Sequence, residues 1–200
     1  MLIDTHCHLD FPDFDCDREL VLERAKHAGV IALLNVASSI KGSHDAVGLA
    51  ARQANIFASV GIHPHDAKDC RPEDLLEIKQ LLAKEKVVAI GEVGLDYFRN
   101  LSDPKVQVDV FRKFIHLALE SNRPLIIHSR QAEDDTLSIL DEFKSFGLTG
   151  VVIHCFSGDV DFLKRCLDRG FFVSFTCSVT YKKAQKLKEV VQYAPLERMF

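Results

Sequence analysis

The chain has 200 residues, 47% of them apolar and 27% charged, with a formal net charge of −4 and a pI near 6.1. That length suits one domain, residues 1–200, with a substantial core, and the mild acidity argues against broad electrostatic binding to nucleic acid, which leaves a basic footprint. No apolar run approaches the roughly 20 residues that span a bilayer, the opening residues, interrupted by Asp4, His6 and His8, do not read as a signal peptide, and six scattered cysteines without a CxxC pair read as reduced thiols, so the expectation is a cytoplasmic monomer with no membrane partner.

Short β-prone runs alternate with helical stretches along the chain. "LIDTHCH" (residues 2–8) is the first run. In a strand His6 and His8 share a face and Cys7 points away from it. Two converging imidazoles suit a metal ion, and equally they are two exposed or hydrogen-bonded histidines. Gly29 closes the next helical stretch, and "VIALLNVA" (30–37) follows it. "IFASVGIHP" (56–64) brings His63, with His65 just beyond, and Pro72 sits in the first turn of "PEDLLEIKQLLAKEK". "VVAIGEVGLD" (87–96) carries Glu92 between Gly91 and Gly94. Asp103 and Pro104 form an N-cap and N1 pair for a long helix whose Val106, Val110, Phe114 and Leu117 share one face.

"PLIIHSR" (124–130) ends in His128 and Arg130, and Gly147 closes another helix. "GVVIHCF" (150–156) carries His154, with a tight turn at Ser157 and Gly158. Asp159 caps "VDFLKRCLDR", Gly170 stops it, and "GFFVSF" is the seventh run. Lys182, Lys183, Lys186 and Lys188 beside Tyr181 either guide a nucleic-acid strand or form the solvated face of an amphipathic helix. The solvated face, with Ala184, Leu187 and Val191 inward, is the preferred reading. "PLERMF" reads as the start of an eighth strand.

Near-continuous apolar strands alternating with helices predict an α/β fold with a parallel sheet. Polar residues recur towards the strand ends, which is where a TIM-type (β/α) barrel builds its active site. Seven strands leave that barrel short of its C-terminal strand-helix unit. Four histidines (His6, His8, His128, His154) and Glu92 at equivalent strand ends point to a metal site, where each alone would not. Imidazole and carboxylate suit Mg²⁺, Mn²⁺ or Zn²⁺ without any thiolate, and Cys7 and Cys155 read as packing residues. Five ligands are natural for two divalent cations sharing a carboxylate, an arrangement that hydrolyses phosphate esters.

"DTHCHLD", "GIHPH", "GEVGLDY", "IIHSR" and "HCFSG" together resemble, in order and across the whole chain, the motifs of the TatD family of metal-dependent deoxyribonucleases in the amidohydrolase superfamily. The resemblance implies that His6, His8 and Glu92 hold one metal and that Glu92 bridges to a second on His128 and His154. It implies that His63 faces the substrate phosphate and that single-stranded DNA ends are the substrate, cut by 3′–5′ exonuclease action. Arg130 is a reasonable further phosphate contact, since guanidinium matches phosphate geometry, and it is equally read as a surface arginine; His65 orients its loop. Family members carry a further aspartate at the end of the eighth strand, and no residue here matches it; Asp96 and Asp159 qualify only by charge. The expectation is a fragment of a longer protein or a natural truncation. The alternatives are attack on an amide, ester or lactone, and an inactive fragment with a partner-binding role.

Overall fold

Runs rich in Val, Ile and Leu bury both faces of a strand, so they require parallel pairing with helices laid across them. In the computed structural model, which describes residues 1–148 and 150–200, all seven runs form strands: β1 (Leu2–Cys7), β2 (Val30–Val36), β3 (Ile56–Val60), β4 (Val87–Asp96), β5 (Leu125–Arg130), β6 (Val151–Ile153) and β7 (Phe172–Val173). Their order in the sheet is their order in the chain. Between them lie α1 (Arg18–His27), α2 (Ile40–Arg52), α3 (Pro72–Leu81), α4 (Pro104–Ser121), α5 (Glu133–Glu142) and α6 (Val160–Asp168), and α7 (Gln185–Tyr193) follows β7. Parallel β/α units repeated in chain order are the pattern of the TIM-type barrel class, as expected. Among the described residues no helix is long and apolar enough to cross a membrane. Two compact units divide the chain, Met1–His63 with Asp69–Glu92, and Pro64–Lys68 with Val93–Phe200.

In the first unit β1, β2, β3 and β4 pair in parallel, with Leu33 opposite Ile56 and Ser59 opposite Ala89. Val36, Ala46, Ile56, Val60, Ile78 and Ile90 are fully buried there. Burying each of the larger ones contributes roughly 1.5–3 kcal/mol before chain entropy is set against it. Ser39 starts α2 by accepting from Gly42 N at 3.0 Å. Pro72 starts α3, where Asp74 also accepts from Arg71 N.

In the second unit β5, β6 and β7 pair in parallel. Asp103 caps α4 by accepting from Lys105 N at 2.8 Å, and Asp159 caps α6 by accepting from Phe162 N at 2.9 Å. The buried face of α4 holds Val110, Phe114 and Leu117 as expected, but Val106 is 37% exposed. Gln107 takes its place, because its amide has buried polar partners to satisfy and an apolar chain in the first turn does not. On α7 the inward residue is Val190 rather than Val191, a rotation of one position from the expected face. Gly147 closes a 3-10 turn (Lys144–Phe146) after α5 instead of the helix itself. Residues 199–200 run parallel to β7: Val173 bridges Met199, and Phe200 N donates to Val173 O at 3.0 Å, so the start of an eighth strand is present.

Candidate active site

The first unit gathers His6, His8, His63 and Glu92. A buried amide fixes where β1 delivers its histidines: Asn35 of β2 accepts from Leu9 N and donates to Asp10 Oδ1. His8 Nδ1 lies 2.7 Å from Val36 O, an acceptor only, so Nδ1 carries the proton and the Nε2 lone pair is left to act as a ligand. His8 Nε2 is 3.2 Å from His6 Nε2. Glu92 is held by Glu92 N donating to Ala37 O at 2.7 Å, and its side chain is 6% exposed. Its Oε2 lies 3.5 Å from His6 Nε2 and 3.8 Å from His8 Nε2, while Oε1 lies 3.8 Å from His63 Nε2.

These separations fit a cation. Four ligands at 2.0–2.1 Å in a tetrahedron lie about 3.3 Å apart, and octahedral neighbours about 2.9 Å. One donor atom from each of His6, His8 and Glu92 falls within 4.8 Å of the others. A carboxylate with only 6% of its side chain exposed and three imidazoles around it suits a divalent ion, since a buried charge needs compensation. Cys7 is no competitor: its Sγ donates to Leu34 O at 3.4 Å, and burial pushes its thiol up to about 12, so it stays protonated.

The second unit gathers His65, Asp96, His128, His154 and Arg130. Asp96 is the residue that sequence reasoning undervalued. It is fully buried at the end of β4; Oδ2 accepts from His65 Nε2 and His128 Nε2, at 2.9 Å each, and Oδ1 accepts from Arg99 N at 2.7 Å. Burial pushes this carboxyl up, but the hydrogen bonds from Arg99 N, His65 and His128 outweigh it and hold it down at about 2. Gln107 locks its backbone, accepting from Asp96 N at 2.8 Å and donating to Asp96 O at 3.2 Å. The sequence signal was the i, i+4 spacing from Glu92, which puts both acids on one face of a strand. His65 therefore does more than orient its loop, although its carbonyl does accept from Ser102 Oγ at 2.7 Å.

Gly94 allows this packing. With φ +135°, its missing Cβ would sit 2.1 Å from His128 O. His154 follows β6 directly, and its Nδ1 lies 3.1 Å from Ser174 Oγ. Arg130 ends β5, where its guanidinium stacks 3.8 Å over the Phe98 ring. His128, His154 and Arg130 line one cavity of about 410 Å³. Ser157 reaches the same cavity, while Gly158 packs against Phe162 and leaves no room for a Cβ. Asp159 is spent on the α6 cap.

The family described as TatD related DNase matches residues 3–200. The chain is 43% identical over 199 residues to the uncharacterized metal-dependent hydrolase YabD of Bacillus subtilis, a match covering 100% of this chain and 78% of that protein. The chain belongs to the TatD family. These proteins are metal-dependent hydrolases. A TatD relative from Salmonella typhimurium, named 3′-5′ ssDNA/RNA exonuclease, is 33% identical over 99% of this chain and 76% of its own length. Among solved structures, the TatD homologue YjjV of Escherichia coli superposes with a TM-score of 0.90 at 32% identity, covering 100% of this chain and 77% of YjjV. The fold is thus shared with a solved TatD homologue.

Proposed function

We propose that this TatD protein is a phosphodiesterase that trims single-stranded DNA ends in the 3′–5′ direction, using two divalent cations, Mg²⁺, Mn²⁺ or Zn²⁺, and acting as a cytoplasmic monomer. The observation that supports it most is the Glu92 carboxylate, buried with imidazoles facing both of its oxygens. His6, His8 and Glu92 hold one cation in this reading, and His154 holds the second together with His128, whose Nε2 gives up its contact with Asp96 Oδ2 to do so. Cations bound there supply Lewis-acid activation of water and neutralise charge building on the phosphate.

The protein's own groups do the rest. Proton placement on His8 Nδ1 presents Nε2 in the correct tautomer without a rearrangement. His63, close enough to Glu92 to share its environment, orients the scissile phosphate and donates a proton towards it. Arg130, its guanidinium stacked on the Phe98 ring, contributes a fork of donors to a phosphate oxygen. The preference for DNA over other phosphoesters draws on the name of the Salmonella relative.

The test is cleavage of a 5′-labelled single-stranded DNA with Mg²⁺, beside lanes with chelator and with the Glu92→Ala variant. A shortening ladder lost in both control lanes is the expected result. Cleavage that survives Glu92→Ala would sink the mechanism.

A further inference from the structure

The segment after β7 runs through a 3-10 turn (Cys177–Thr180) into α7. It contributes Tyr181 and Lys183 to the cavity that His128, His154 and Arg130 line, with Ala184 and Leu187 as an apolar wall. The charge on this cavity is one-sided. Arg130 and Lys183 both line it, no aspartate or glutamate does, and among the described residues neither cation has a carboxylate partner. In a chain of net charge −4 that is not the average surface. The neighbouring cavity on α6 shows the contrast, since it is of mixed charge, with five acidic residues beside Arg165 and Lys186. Tyr181 adds a ring that is 62% exposed, although an aromatic of this size normally buries most of its surface.

Unpaired cations beside an exposed aromatic face, next to histidines read as metal ligands, describe a site for an anion that carries a flat ring. We infer that this cavity is the subsite for a nucleotide of the single-stranded substrate, with Tyr181 stacking on the base and Lys183 and Arg130 holding the flanking phosphates. The volume fits one nucleotide, being within the roughly 300–1,000 Å³ of small-molecule sites and near their lower end. The assignment gives one member of the lysine cluster a role in holding the strand. Lys182, Lys186 and Lys188 do not line this cavity, whereas Lys183 does. It rests on the nuclease reading and adds to it the residues that recognise a base.

The experiment measures steady-state cleavage of a single-stranded oligonucleotide by the Mg²⁺-loaded chain, and binding of the same fluorescent strand to chelator-treated protein. Tyr181→Ala is expected to raise both KM and the metal-free Kd about tenfold with kcat within about twofold, as loss of one stacked base predicts. Tyr181→Phe, which keeps the ring, should restore most of the affinity. Lys183→Gln should weaken binding and reduce the slope of log K against log salt by about one. If wild-type protein cuts and binds the strand and Tyr181→Ala matches it in KM and Kd, the subsite is wrong and the nuclease reading stands. If kcat falls alone, or Tyr181→Phe fails like Tyr181→Ala, stacking is refuted. If wild-type protein neither binds nor cuts single strands but hydrolyses a small phosphodiester, the nuclease reading fails and the subsite with it.

Discussion

Replacing Asp96 by asparagine removes one charge and almost no volume, so it isolates the role of the carboxylate. Both oxygens are in use: Oδ2 accepts from His65 and His128, at 2.9 Å each, and Oδ1 from Arg99 N at 2.7 Å. An amide has a single acceptor oxygen. With that oxygen at the Oδ2 position, the NH₂ faces the Arg99 N–H; flipped, it faces two imidazole N–H groups. Either way at least one buried donor loses its acceptor, at a cost of about 1–3 kcal/mol. Proton linkage leads to a similar figure. The carboxyl sits at about 2 in the folded protein against an ordinary value of 3.8, and at about 1.4 kcal/mol per pKa unit the difference is worth roughly 2 kcal/mol. Because the folded value is the lower one, this stabilisation is fully present above about pH 5 and is lost as pH falls towards 2, with roughly half gone by pH 3. Urea unfolding of chelator-treated protein should therefore find Asp96→Asn less stable by about 2 kcal/mol at pH 7, with the gap narrowing steadily below pH 5. No gap at pH 7, or an equal gap at pH 7 and pH 3, would refute the assignment.

Gly94→Ala should cost about 3 kcal/mol or more, because a Cβ 2.1 Å from His128 O cannot be accommodated by a side-chain rotation; thermal melting should fall by roughly 6–12 °C. Gly29→Ala is the control, having φ +87° but nothing within 4 Å of its Cβ, and should cost only about 1 kcal/mol from backbone strain. Glu92→Gln should lower Mn²⁺ affinity, read by calorimetry, by about 100-fold or more, since even groups behind a ligand are worth 10–100-fold. Ser39→Ala, which removes the α2 cap, should lower stability by about 1 kcal/mol and leave Mn²⁺ binding unaltered.

The sequence by itself determined the seven strands and their parallel class. Strand character is written locally, in runs such as "VVAIGEVGLD", because burial on both faces demands continuous apolar chains. The caps at Asp103 and Asp159 were legible for the same reason: a cap depends on the next three residues. What a side chain meets across the fold was not legible. Asn35 looks like one polar interruption in β2, and only pairing with the exit of β1 shows that it places His8. Asp96 carried charge but no evident role until His65, Arg99, Gln107 and His128, from four separate segments, closed around it. Tyr181 and Lys183 read as helix surface until the same cavity proved to hold His128 and His154. Local pattern specifies which residues are inward, while hydrogen bonds and charge pairing depend on partners dozens of positions away, so only the tertiary structure decides them.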